Sequence, residues 1–291
     1  MPLTTIYDDG TRIVGDVNAI EQTLHPTVMN YVNIMRSSTG GNYAMTLNEI
    51  DAVNNMVQAL VSNGLWTKIK AIYPIIGTTA AAHKFNLKDP RDTNAAFRLS
   101  FLGGGWTHDA NGATPNGTTS YADTFLSPST SLSVSSGHLS FYSRIQALLS
   151  GNIEIGSSQG AGVANICSMI IGRTVNLSQF TWGVQSTGTI PTIISTLTQG
   201  FFIGNQNGAT ASGRNIYRNA SAGTAPSSYG SPIMPSPSIT IGALNDISAG
   251  RTFFSSRQCS FASIGDGLTD AEVKAFSTIV QAFQTKLGRQ V

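Results

Sequence analysis

The chain of 291 residues is 41% hydrophobic and only 11% charged, with a net charge of +2. That hydrophobic content supports a packed core and excludes global disorder, and the lack of a basic cluster removes the electrostatic footprint of a nucleic-acid binder. With so little charge the surface falls to Ser, Thr, Asn and Gly. No apolar run approaches the length of a bilayer span, which argues against a membrane segment. MPLTTIYDDG has neither the basic start nor the apolar centre of a signal peptide.

Residues 1–15 read as a short hairpin, with IY and TRIVG on either side of Asp8-Asp9-Gly10, because Gly takes positive φ without strain. Asp16 is placed as an N-cap. Val17, Ile20, Leu24, Val28, Tyr31, Val32 and Met35 then recur at helical spacing, with Pro26 expected to split or kink the helix. The next helix is better marked. Thr46 and Glu49 have the spacing of a capping box, Ile50, Val53, Met56, Val57, Leu60 and Val61 share one face, and Asn63-Gly64 ends it. Trp66, Ile69, Ile72 and Tyr73 read as a further amphipathic helical turn before Pro74, with Trp66 as the packing residue. GTTAAAHK reads as a small-residue linker.

From Phe97 to Ile264 the pattern changes to strand-sized runs rich in β-branched and aromatic residues, separated by Gly, Asn, Ser and Pro. FRLSF, HLSFYS, NIEIG, NICSMIIG, TVNLSQFTWGV, FFIG, NIYRN, SITIG and CSFASIG are the clearest, and they predict a mainly β sandwich or jelly roll. Period-2 alternation in SITIG and CSFASIG predicts sheets with one buried and one wet face. The four prolines of AGTAPSSYGSPIMPSPS make that segment a surface loop. The chain closes on a second capping box, Thr269 to Glu272. A helix follows with Val273, Phe276, Ile279, Val280, Phe283 and Leu287 on one face and a stop at Gly288.

KFNLKDPRD, the glycine run before Trp106, and ATPNGT followed by YADT resemble a family of phage structural proteins that carry a concanavalin A-like (LamG-type) sandwich. The order FFIG, IYRN, ITIG and FASIGDGLTDAE is similar to the closing half of such domains. The resemblance covers roughly residues 64–291. It implies a concanavalin/LamG-like antiparallel sandwich over 64–291 closed by a C-terminal helix, preceded by a small helical N-terminal region, 1–63, for attachment or oligomerisation. It further implies a non-enzymatic component of a phage virion, a head or tail fibre or a decoration protein. Such a protein is assembled in the host cytoplasm and contacts other virion proteins, as a homo-oligomer for which a trimer suits a fibre. A glycan-binding adhesin acting on host surface glycans is the alternative, and a glycoside hydrolase is a third.

Residue types separate these readings. Glycosidases usually need two carboxylates facing each other across the sugar bond, whereas Glu154 is the only glutamate between Glu49 and Glu272, and no Asp or Glu occurs from Ile155 to Asn245. Glu154 is expected on the solvated face of its strand. His25, His83, His108 and His138 lie near no G-x-S-x-G motif, and metal-ligand spacings are absent, so no cofactor or metal is expected. Asp109-Ala-Asn111-Gly reads as a plain turn rather than a calcium loop, and Gly103-Gly104-Gly105 as a bulge or close backbone approach. Cys167 and Cys259 read as buried free thiols or as a pair joining neighbouring strands; a cytoplasmic assembly route favours the thiols. The residues left for a ligand are Trp106, His108, Asp109 and Asn111, an aromatic with hydrogen-bonding neighbours of the kind that holds sugars.

Overall fold

The computed structural model describes residues 24–41, 43–160, 165–173, 176–184 and 188–291, together with the backbone of a two-stranded hairpin, Ile6–Asp8 paired with Thr11–Ile13. The expected turn at Asp9-Gly10, the cap at Asp16, and Val17 and Ile20 lie outside the described residues.

The architecture has three layers, a helical layer and two sheets. Helix α1 (Pro26–Ser38) begins at Pro26 rather than being kinked by it. Proline at the first helical position forfeits only an amide that has no helical partner there, and His25 caps by accepting from the Thr27 amide at 3.3 Å. Helix α2 (Leu47–Ser62) and helix α3 (Asp270–Lys286) both start on the capping boxes read from sequence. In each, the threonine hydroxyl and the glutamate carboxylate satisfy each other's backbone amides.

The middle sheet runs Ser221–Ala222, Arg214–Arg218, Gly200–Asn207, Ser136–Ser143, Cys259–Gly265, Gly112–Thr114, Thr107–Asp109. Ile69–Tyr73 also pairs with Cys259–Gly265. The outer sheet runs Thr192–Ile194, Leu177–Trp182, Ile166–Arg173, Ile155–Ser158, Thr240–Ile241, Tyr121–Asp123, Ser100–Leu102. A hairpin, Leu244–Asp246 with Gly250–Thr252, joins it by a parallel pairing to Ile155–Ser158; the other strand pairings are antiparallel.

Two cores follow. Between the sheets pack Phe141, Phe202, Met169, Phe180, Trp182, Ile239 and Ile241. Between the middle sheet and the helices pack Tyr142, Phe201 and Phe261 with Val28, Tyr31, Met56, Val57, Phe276, Val280 and Phe283. Neighbours such as Phe141 and Tyr142, or Phe201 and Phe202, therefore serve different cores, as a strand's two-residue period requires. Phe201 meets Phe276 edge-on at 5.3 Å and Phe261 at 5.6 Å, geometry worth about 0.5–1.5 kcal/mol per pair beyond area burial. At one point the sheets approach so closely that a Cβ on Gly137 would lie 2.0 Å from the Trp182 ring.

This second core corrects three expectations. The central strands of the middle sheet have no wet face, because the helices cover them; Cys259–Gly265 is buried throughout, while the edge strand Ser221–Ala222 is exposed. A bulge between Cys259 and Phe261 also sends these two residues to different cores rather than the same one. Ile69–Tyr73 is a strand, and only Trp66–Lys68 forms a helical turn. Both faces of that strand are apolar, with Ile69 and Ile72 toward the helices and Ala71 and Tyr73 between the sheets, and a short run buried on both sides carries no periodicity that separates helix from strand. The apolar stripes of α1 and α2 are covered by α3 and the middle sheet. Asn48 donates to the Lys286 carbonyl at 2.9 Å, and Lys286 pairs with Asp51 at 2.8 Å. Trp66 packs on the same core, with the Lys88 ammonium 4.3 Å over its ring.

Candidate ligand-binding site

The two sheets end side by side where Ser100–Leu102, on the edge of the outer sheet, is followed in sequence by Thr107–Asp109, on the edge of the middle sheet. The crossing is made by Gly103, Gly104 and Gly105, all at positive φ. A Cβ on Gly103 would sit 1.9 Å from the Thr119 carbonyl oxygen, so the run is a close backbone approach. It is held by the loop after Pro115. The Asn116 carboxamide oxygen accepts from the amides of Thr118, Thr119 and Ser120, and the hydroxyls of Thr119 and Ser120 donate to the carbonyls of Gly103 and Gly104.

The four candidate residues fall into two groups, because successive side chains on a strand point to opposite faces. Trp106 and His108 share a face and lie nearly parallel, with ring centroids 5.9 Å apart and planes at 27°. Phe101 stands edge-on to both, at 5.0 Å from Trp106 and 4.6 Å from His108. Asp109 belongs to the hairpin turn. Its Oδ1 accepts from the amides of Asn111 and Gly112 at 2.8 and 3.0 Å and from Gln258 Nε2 at 3.3 Å. Asn111 is exposed at the turn, where its carbonyl accepts from the Ser260 hydroxyl. Asp109-Ala110-Asn111-Gly112 is thus the plain turn expected, and Trp106 and His108 form an aromatic edge with Phe101.

His83 completes this edge from below. GTTAAAHK is not a featureless linker: Thr79 caps a single helical turn, Ala80–His83, that buries His83 beneath the hairpin at 1% exposure. Its Nε2 lies 2.8 Å from the Gly77 carbonyl oxygen and its Nδ1 lies 3.0 Å from His108 Nδ1. A carbonyl only accepts, so His83 Nε2 carries its proton. Burial pushes His83 down to about 4, so the ring is neutral at pH 7 and its Nδ1 has a lone pair. His108 must then donate from Nδ1, and its own Nε2 has no partner among the described residues. Burial also lowers the His108 pKa. Residues 83 and 108 are 25 apart, and nothing in the sequence pairs them.

Glu154, His138 and the two cysteines are sealed away. Glu154, expected on a wet face, is 0% exposed and lies just before its strand. The Ile171 amide donates to Oε2 at 2.7 Å, and Arg257 Nε and the Ser255 hydroxyl donate to Oε1 at 3.2 and 3.3 Å. Burial pushes its carboxyl up, against the pull of Arg257. Arg257 spends its remaining donors on Ser143 Oγ and the carbonyls of Ile145, Ala147 and Ile171. His138 lies 3.0 Å from Ser263 Oγ, but both are at 0% exposure and His138 Nδ1 donates to the Asp266 carbonyl, so the contact ties strands together. Cys167 and Cys259 are free and buried, and burial pushes both thiols up to about 12, which makes them unreactive at neutral pH. Among the described residues no cluster of His, Cys, Asp and Glu is suited to a metal ion, and no helix is long and apolar enough to cross a membrane.

No protein-family model matches the chain, and no curated protein matches it. Solved structures do. A mutant of Trypanosoma rangeli sialidase displaying trans-sialidase activity is similar over 81% of this chain and 40% of its own, at 9% identity and a TM-score of 0.53. Trypanosoma rangeli sialidase in complex with 2,3-difluorosialic acid is similar over 94% of this chain and 41% of its own, at 11% identity and a TM-score of 0.50. Domain 4 of AbnA, an extracellular arabinanase from Geobacillus stearothermophilus, matches over 72% of this chain and 98% of its own, at 12% identity and a TM-score of 0.41. The chain spans about 40% of the length of the sialidases. At such identities the likeness is one of fold: this chain is a β-sandwich, with helices before it and one after.

Proposed function

We propose that this protein is a non-enzymatic structural component of a phage virion that displays a lectin-like sandwich. The observation that carries the non-enzymatic part is the state of Glu154. The one glutamate in the sandwich's strand region is fully buried and bonded to Arg257, where no substrate reaches it. The virion setting rests on the sequence resemblance over residues 64–291 and on the low-charge Ser, Thr, Asn and Gly surface that suits an assembly part. Its contacts are other virion proteins, and self-association as a homo-oligomer, with a trimer for a fibre, belongs to the same reading. The test is mass spectrometry of purified particles, in which the chain should appear at fixed stoichiometry, together with light scattering of the purified protein. Absence from particles overturns the proposal.

A second reading, a glycan-binding adhesin whose binding is its main task, is favoured by one observation, the half-buried aromatic edge of Phe101, Trp106 and His108. A glycan array separates it from a purely architectural role.

A further inference from the structure

We propose that the sandwich edge of Phe101, Trp106 and His108 binds a neutral carbohydrate, and that His83 is a positioning residue beneath it, fixing His108 so that its Nε2 accepts a hydrogen bond from a sugar hydroxyl. The inference rests on the lectin-like reading above and names the site and ligand class.

The argument is one of hydrogen-bond bookkeeping. The Gly77 carbonyl fixes the proton on His83 Nε2, which leaves His83 Nδ1 to accept, which fixes the proton of His108 on Nδ1. The half-buried His108 therefore presents a bare Nε2, an acceptor of fixed direction without a protein partner among the described residues. A free imidazole interconverts between two tautomers; this one is held in one before any ligand arrives, which removes an ordering cost from binding. Beside it, Trp106 has spent its indole N–H on the Leu102 carbonyl at 3.1 Å, so it offers ring surface alone, the apolar partner that the C–H face of a sugar needs. Gly104 adds room, since a Cβ there would meet nothing within 4 Å.

Charge selects the ligand class. The basic residues nearest in sequence to His83 and Phe101, Lys84 and Arg98, are both engaged by Asp92, at 2.6 and 3.0 Å. The Asp109 carboxylate is committed to its turn. Arg289, whose charge acts on His83, is buried at 2% exposure and gives its guanidinium to the Gln284 side chain and the carbonyls of Pro74, Ile75 and Ser260, so it is not open to pair with a carboxylated sugar. The site fits a hydroxyl donor on an uncharged ring.

The test uses the full chain and two readouts. Long-range proton–nitrogen NMR of the imidazoles should show His108 protonated at Nδ1 and bare at Nε2, and His83→Phe should release it into a mixture of tautomers. A wild-type His108 protonated at Nε2 overturns the positioning role without any variant having to fold. Titration with glucose, galactose, mannose, N-acetylglucosamine and their disaccharides should shift the His108 and Trp106 resonances saturably for at least one. His108→Leu, a change at a half-exposed residue, should weaken that binding by about tenfold, one hydrogen bond's worth. Saturable binding whose shifts map elsewhere overturns this site and leaves the lectin-like reading standing. No binding by any sugar overturns the carbohydrate site and the adhesin reading together, while membership of the particle is decided separately by its composition.

Discussion

The Glu154–Arg257 hub and the His83–His108 edge use polar side chains to opposite ends. At the hub both partners are at 0% side-chain exposure, and Arg257 gives every face of its guanidinium to a carboxylate, a hydroxyl or a carbonyl. At the edge the chain of bonds starts on a buried carbonyl, passes through two neutral rings and ends on an atom with no partner among the described residues. A network that closes on itself serves the fold, because every donor it contains is a constraint on neighbouring strands. A network that ends at the surface has a terminus to offer a ligand. The perturbed residue is therefore not by itself the functional one; where its last hydrogen bond points decides.

The largest effect that separates the two regions is expected at the hub. Arg257→Met leaves the Glu154 carboxyl buried without its cation and should cost about 3–5 kcal/mol in urea unfolding. A loss comparable to that of a surface change would mean the hub is not sealed. Second comes pH. His83 and His138 are both pushed by burial to about 4, below the ordinary histidine value of about 6.5. A depressed folded-state value means that stability is fully present above about pH 6.5 and is lost as pH falls toward 4, by about 3 kcal/mol for each ring. Thermal melts across that window should show the decline, and His83→Phe should remove its share of the slope. Thiol labelling gives the next contrast. Cys167 and Cys259 should be slow to react in the native protein and should count as two free thiols once it is unfolded without reductant. Least affected is the open end. His108→Leu leaves the buried His83 Nδ1 without its donor and should cost about 1–3 kcal/mol, so binding by that variant is read under conditions where it is shown to be folded.

Much of the fold was legible where a local signal has a local cause. The boxes at Thr46–Glu49 and Thr269–Glu272 are satisfied within four residues, so the sequence contains the whole motif. The hairpin turn at Asp109–Gly112 is equally self-contained. Ile69–Tyr73 reads as helix from sequence because much of what buries it, α3 and the outer sheet, lies far from it along the chain. Glu154 was misread for the same reason. A lone acid in NIEIG reads as solvated until Arg257, 103 residues away, is placed beside it. Of the candidate site, Trp106 and His108 were found from their types. The division of that loop into an aromatic face and a turn, and the part played by His83, depend on strand geometry and on a contact across 25 residues.

The packing of α2 against α3 has a consequence for how the chain reaches its fold. Asn48 and Lys286, which bond across that contact, are separated by 238 positions. At about 5–20 residues per second a ribosome takes on the order of tens of seconds to make that interval. Through that time the apolar faces of α1 and α2 have emerged and the helix that covers them has not. Contacts of such high order also make for slow closure once all parts are present. The helical layer is therefore expected to mature last, and its exposed nascent form is where a chaperone would engage the chain.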